Sequence, residues 1–322
     1  MSLLSVTDLR LTFGGVTAID GLSFSVDEAE IVSVIGPNGA GKTSAFNCVT
    51  GFYRPTAGRI TLRGKDLPGL RPSAVAALGV ARTFQNLRLF GELSVLDNVR
   101  AGSHLWLRQS VFDALLHTPR YRRSERECTE QAHHWLDFVG LRGDRYGQAR
   151  NLPYGEQRRT EIARALARKP DLLLLDEPAA GLNHGEKAEM LDLIRRIQAL
   201  GVAIVLIEHD MGLVMEVSER VVVLNFGREI ADGRPEDVRR NPAVIEAYLG
   251  GDITAGERDT PQDDPSATTP GTDAAHTRAP DADGADGADG DDPADGSGDG
   301  AGDGAGNRTP ARDRTAGSDA DA

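Results

Sequence analysis

The stretch Glu30-Ile31-Val32-Ser33-Val34-Ile35-Gly36-Pro37-Asn38-Gly39-Ala40-Gly41-Lys42-Thr43-Ser44 decides how the rest of the chain is read. Residues 31–35 form a short, β-branched apolar run, the pattern of a strand buried on both faces. The run breaks into a turn with glycine at 36, 39 and 41, and a helix is predicted from Thr43 to about Thr50. Gly36 to Thr43 fits the spacing G-x-x-x-x-G-K-[ST] without a gap. Glycines let consecutive backbone N–H groups curl around a phosphate, and the helix N-terminus adds positive potential behind them. Lys42 is then expected on the β- and γ-phosphates of ATP and the Thr43 hydroxyl on Mg2+, with Pro37, Asn38, Ala40 and Ser44 completing the cradle. A chance glycine-rich turn is the alternative, and strand, loop, lysine and threonine in this order argue against it.

A second apolar run, Leu172-Leu173-Leu174-Leu175, ends in Asp176-Glu177-Pro178. Asp176 at the strand end is expected to hold Mg2+ opposite the phosphate loop. Glu177 lies one residue further on, where a carboxylate can polarise the attacking water. His209 follows the run Val202–Ile207 and is read as a γ-phosphate contact that orients Glu177. Alone, a histidine at a strand end is more often structural, and the phosphate loop and acidic strand end reverse that reading here.

Working outward, strand-like runs at Leu9–Phe13, Leu22–Val26 and Arg59–Leu62 predict an antiparallel β edge in the N-terminal third. From about Ala74 to Arg168 the pattern reads as helical. Runs at Leu172–Leu175, Val202–Ile207 and Val221–Leu224 then alternate with helices expected at about 186–200 and 210–218. Such alternation predicts a parallel α/β core. The fold class expected is therefore α/β: a P-loop NTPase core, an antiparallel β subdomain and an inserted helical subdomain at about 86–168. No internal repeat is present, so the chain carries one nucleotide-binding unit.

Charge divides the chain at about residue 250. Residues 251–322 hold 17 Asp and one Glu against five Arg, which is the entire formal net charge of −13. The first 250 residues balance, with 31 basic and 31 acidic side chains. Beyond Ile253 there is no Ile, Leu, Val, Met or aromatic residue, so this segment cannot bury enough apolar surface to offset the entropy of ordering. Residues 1–250 are expected to form the folded domain and 251–322 a disordered Asp/Gly/Ala-rich tail, read either as a solvating appendage or as a regulatory one. A neutral body offers no basic surplus for phosphate backbones, so nucleic acid is not expected as a partner. Cys48 and Cys128 are too few for a disulfide framework, and no window reaches the roughly 18 apolar residues of a membrane helix. The N-terminus also lacks the pattern of a signal peptide. Membrane association is expected only through partner subunits, at the cytoplasmic face.

Together these residues resemble the ABC transporter ATPases over about residues 3–250. The resemblance makes Gln85, in Arg82-Thr83-Phe84-Gln85-Asn86, the Q-loop glutamine that reaches the Mg2+ site and couples it to the membrane subunits. Leu152-Pro153-Tyr154-Gly155-Glu156-Gln157 looks like the signature loop, usually LSGGQ, whose helix faces the γ-phosphate bound by a second subunit. Tyr154, Gly155 and Glu156 are thereby implied as nucleotide contacts. Pro153 departs from the usual serine and removes a hydroxyl contact, and Glu156 sets a carboxylate near phosphate unless it turns away. Ala180-Gly181-Leu182-Asn183 matches the D-loop, which implicates Asn183. Phe13 matches the aromatic position that stacks on adenine, with inward strand packing as the alternative.

A finer resemblance rests on Arg82–Phe90, Leu93–Val99, Arg158–Leu166, Ile207–Met211 and Pro242-Ala243-Val244-Ile245-Glu246-Ala247-Tyr248-Leu249-Gly250. This set looks like the larger ATPase of high-affinity branched-chain amino acid importers. It implies a second, different ATPase subunit, two membrane permeases and an extracytoplasmic substrate-binding protein. Import of urea, amides or other hydrophobic amino acids, lipid export, and a soluble non-transport ABC ATPase are the alternatives. The insertion Leu105–Arg123 is read either as packing inside the helical subdomain or as a permease-docking face.

Overall fold

A computed structural model of the chain describes residues 2–103 and 118–248. The expected tail, and the insertion up to residue 117 with Trp106, lie outside the described residues.

Two sheets form the body. Strands β1 (Leu4–Phe13), β2 (Val16–Val26), β4 (Ala57–Leu62) and β5 (Lys65–Asp66) make an antiparallel sheet in the order β2-β1-β4-β5. The larger sheet runs β10-β9-β3-β8-β7-β6, built from β3 (Ile31–Ile35), β6 (Val80–Arg82), β7 (Leu172–Asp176), β8 (Ala203–Ile207), β9 (Arg220–Asn225) and β10 (Arg228–Gly233). It is parallel except for β10, which pairs antiparallel with β9.

Every residue of β3, β7 and β8 is buried, as their largely apolar runs require, with Ser33 in β3 and Asp176 at the end of β7 the polar exceptions. Successive side chains of a strand point to opposite faces, so each run feeds two cores. Leu173, Leu175, Ile204 and Leu206 pack with the helices Val95–Ser103, Pro119–Phe138, Tyr154–Leu166 and His184–Ala199. Leu172, Leu174, Val205 and Ile207 face Leu4, Leu9, Ile19 and Leu22 of the antiparallel sheet. Trp135 packs against the first of these cores as a half-buried neighbour.

Three strands differ from the expectation: β5 is a two-residue edge pairing with β4, and β6 and β10 are the others. β6 lies inside the stretch read as helical, and β10 was not read at all. These two are also edge strands: β6 is three residues that pair only with β7, and β10 closes a hairpin on β9. Their conformation comes from pairing with distant or adjoining strands, not from a pattern of their own.

Candidate functional site

The four neighbouring strands β3, β8, β7 and β6 converge at their carboxyl ends, where open α/β sheets present ligand sites. The phosphate loop leaves β3, Glu208 and His209 follow β8, Asp176 ends β7 with Glu177 behind it, and Gln85 follows β6.

The helix Lys42–Val49 starts directly from the loop. Its N-cap is Gly41 at φ 103°, and no side chain caps it. Its first-turn N–H groups therefore lack intrahelical partners and open on the cradle, as an anion requires. The Lys42 ammonium folds back on its own loop, donating to the carbonyl oxygens of Gly36 at 2.7 Å and Pro37 at 2.9 Å. Burial pushes its pKa down, against the opposing pull of the Glu177 and Asp176 carboxylates.

Gly36 has no room for a side chain. Its φ is 147°, and a Cβ there would lie 2.0 Å from the Leu224 carbonyl oxygen on β9. Gly36→Ala is expected to cost about 3 kcal/mol or more, read as a lowered thermal midpoint with loss of ADP binding. A midpoint within about 2 °C of wild type would contradict this close packing.

Asp176 is almost wholly buried and ion-paired to Arg82 at 2.8 Å. Its N–H donates to the Thr83 hydroxyl at 3.3 Å. Arg82 also donates to Asn47 at 2.6 Å and lies over the Phe46 and Phe84 rings, so β6 and the phosphate-loop helix both brace the carboxylate. Glu177 stands at φ 48°, a left-handed conformation unusual outside glycine, with its N–H donated to Ile207 at 2.9 Å. Gln85 Nε2 donates to Glu177 Oε2 at 3.0 Å. His209 Nδ1 lies 3.7 Å from the same oxygen, on a side chain that is mostly exposed. Gln85, Glu177 and His209 are thus brought together.

The helix Tyr154–Leu166 likewise begins without a side-chain cap, on Pro153. Glu156 turns aside: its Oε2 lies 2.1 Å from where a Cβ on Gly143 would stand, a position only glycine leaves open. Tyr154 sits against Gly181 of the matched D-loop. The Asn183 side chain is committed to a capping box, accepting from Glu186 N–H at 3.0 Å while Glu186 accepts from Asn183 N–H at 2.9 Å. Phe13 is half-exposed at the end of β1 and meets Tyr53 edge to face at 5.1 Å.

Residues missed from sequence surround this site. Arg82 was read only as part of a motif. Glu208 is buried, accepts from Ala179 N–H at 2.9 Å and from His209 N–H at 3.2 Å, and burial raises its pKa. Tyr248 lies by the Gly36 backbone, and burial pushes the pKa of its hydroxyl up. An acidic residue beside a histidine was the available signal for Glu208. Tyr248 stands in the Pro242–Gly250 motif that carries the finer resemblance, but nothing in that motif points to the phosphate loop.

The family described as ABC transporter matches residues 19–180, and one described as branched-chain amino acid ATP-binding cassette transporter matches 228–254. The chain is 50% identical over 249 residues to the high-affinity branched-chain amino acid transport ATP-binding protein LivG of Salmonella typhimurium, covering 77% of this chain and 98% of the relative. It is 49% identical over the same length to BraF of Pseudomonas aeruginosa, which carries the same description, with the same coverage. Among solved structures, a nucleotide-free ATP-binding cassette from an ABC transporter aligns with TM-score 0.68 at 30% identity, covering 77% of this chain and 99% of that one. An ADP-bound cassette of an ABC transporter aligns equally well, at 30% identity and covering 78% and 99%. With a phosphate loop, an acidic strand end and half-identity along nearly the full length of such relatives, this chain belongs to the ABC transporter ATP-binding proteins, which bind nucleotide and hydrolyse ATP to power transport.

Proposed function

We propose that the chain powers uptake of branched-chain amino acids as one half of an ATP sandwich seated on two permease subunits. The convergence of Lys42, Asp176, Gln85, Glu177 and His209 on four strand ends carries the chemical part of this reading. The half-identity to branched-chain amino acid transport proteins carries the substrate class.

ATP phosphates lie in the loop Gly36–Thr43 with Ser44 behind it, and Lys42 exchanges its two carbonyl partners for β- and γ-oxygens. Glu177 takes a proton from the water as that water adds to the γ-phosphorus and the bond to the ADP oxygen breaks. Gln85 and His209 hold the Glu177 carboxylate for this step. Phe13, buttressed by Tyr53, stacks on adenine.

The donor set suits Mg2+: a hydroxyl from Thr43, a carboxylate from Asp176 and the amide oxygen of Gln85 are hard oxygen ligands. Among the described residues no group of three or more His, Cys, Asp or Glu is placed to hold a metal ion. When bound, the ion would offset charge on the phosphates.

The uncapped helix at Tyr154 and Gly155 offers its N–H groups to the γ-phosphate of the second ATPase subunit. Pro153 brings no hydroxyl to that contact, and Glu156, turned toward Gly143, does not oppose the phosphate. Asn183 contributes by fixing the start of its helix. The second ATPase is a different chain in the transporter, and the permeases hold both at the cytoplasmic face. An apolar cleft of about 370 Å³ beside Phe52, Phe84 and Arg82, with Phe52 and Phe90 half-exposed, supports docking of a permease next to the Gln85 loop. No helix among the described residues is long and apolar enough to cross a membrane.

The test is ATP hydrolysis by the transporter reassembled in lipid vesicles with its binding protein. Binding protein loaded with leucine, isoleucine or valine is expected to raise the rate several-fold over the unloaded form. Equal stimulation by urea or short amides, with none by these three, would overturn the substrate class.

A further inference from the structure

Residues 83–90, which carry Gln85, form neither helix nor strand. Their backbone is held instead by two charged side chains of the helix Tyr154–Leu166. Arg158 Nη1 donates to the Phe84 carbonyl at 2.7 Å, and Nη2 donates to the Gln85 carbonyl at 3.0 Å. Glu161 Oε1 accepts from the N–H groups of Phe84 and Arg88, each at 3.4 Å. The two side chains pair with each other at 3.2 Å, and both are essentially inaccessible to water. Arg164 reinforces the clamp, donating to the Arg88 carbonyl at 2.6 Å and lying 3.7 Å from Glu161.

A buried ion pair is a poor device for stability alone, because the desolvation of two charges consumes most of their attraction. What this pair provides is orientation. The planar guanidinium is the one cationic group that can span adjacent carbonyls and a third acceptor at once. That third acceptor is the Tyr154 hydroxyl, at 3.0 Å from Nη2, with the guanidinium 5.7 Å from the Tyr154 ring centre. Tyr154 opens the signature helix. Gln85, at the other end of the chain of contacts, donates to Glu177.

We infer that Arg158 and Glu161 are positioning residues that transmit capture of the partner's nucleotide at Tyr154–Gly155 to the Gln85–Glu177 contact in this subunit. The inference rests on the sandwich reading above. On this proposal, any shift of the helix on nucleotide capture carries Arg158 with it. Because Arg158 grips Phe84 and Gln85 by backbone atoms, the Gln85 side chain moves with that shift. The two ATP sites of the sandwich are coupled through this pair.

Arg158→Lys tests it in the assembled transporter. Lysine keeps the charge that pairs with Glu161, but its three donors sit on one nitrogen and cannot serve the Phe84 and Gln85 carbonyls, the Tyr154 hydroxyl and Glu161 together. The double substitution Arg158→Met with Glu161→Leu removes both charges and leaves no orphaned ion, guarding against simple failure to fold. Both variants are expected to show a maximal ATPase rate lowered about tenfold, from misplacement of Gln85. The Hill coefficient for ATP is expected to fall from near the two-site limit of about 2 to about 1. ADP affinity of the isolated chain, set by the untouched phosphate loop, stays within about twofold. Wild-type cooperativity and rate in either folded variant would overturn the inference, as would a loss of ADP affinity parallel to the loss of rate. A wild-type transporter with no cooperativity in ATP would overturn the sandwich reading itself, and the inference with it.

Discussion

Glu177→Gln is expected to lower ATP hydrolysis about a thousandfold while ATP stays bound, because a neutral amide cannot accept the proton of the attacking water. The geometry around it is expected to survive. The Gln85 amide, now 3.0 Å from Glu177 Oε2, can donate equally well to an amide oxygen, and the strained φ of 48° at this position is set by the backbone bond to Ile207. Nucleotide that is not cleaved continues to join the two halves, so the variant should accumulate as an ATP-bound dimer. Phosphate-release kinetics and size-exclusion chromatography in ATP read both consequences. Hydrolysis within about tenfold of wild type would remove Glu177 from the role of base, since general bases contribute more than that.

Lys42→Ala acts at the opposite end of the reaction. The ammonium has two carbonyl partners 2.7 and 2.9 Å away and is expected to give them up for phosphate oxygens. Losing two charge-assisted hydrogen bonds of about 1.5–3 kcal/mol each, less the exchange with those carbonyls, weakens ATP binding about a hundredfold. The free protein should be little affected, because the substitution removes a half-buried cation whose pKa is already depressed by burial. Nucleotide titration by fluorescence, beside a thermal midpoint without nucleotide, separates the two effects. Unchanged affinity would mean that Lys42 keeps its loop contacts and never reaches phosphate.

The core strands were legible because each is a short run of four or five mostly apolar residues, broken in β3 only by Ser33, with no competing helical period. β3, β7 and β8 needed no tertiary information to be seen. The loop Gly36–Thr43 was legible for a different reason: spacing alone places glycine where backbone must approach backbone, as Gly36 does against Leu224. What escaped reading depends on partners far along the chain. β6 is three residues long and becomes a strand only by lying beside β7, 92 residues away at the Val80–Leu172 pair. Arg82 looked like any arginine until Asp176 and Asn47 were brought to it. In Arg158-Arg159-Thr160-Glu161, the phase of the helix decides which charges are buried. Arg158, Glu161, Ile162 and Ala165 share the i, i+3, i+4, i+7 face turned toward residues 83–90. Arg159 points instead to Val139 and Glu189. The phase of that face follows from packing, and a run of mixed charges does not reveal it.

The most direct measurement is uptake of labelled leucine, isoleucine and valine by the native cell, compared between wild type and a single Glu177→Gln substitution in this chain. Loss of uptake of all three, with unrelated solutes entering at the wild-type rate, is the predicted result. Normal uptake of the three amino acids, in cells whose purified variant no longer hydrolyses ATP, would contradict the assignment of this ATPase to branched-chain amino acid import.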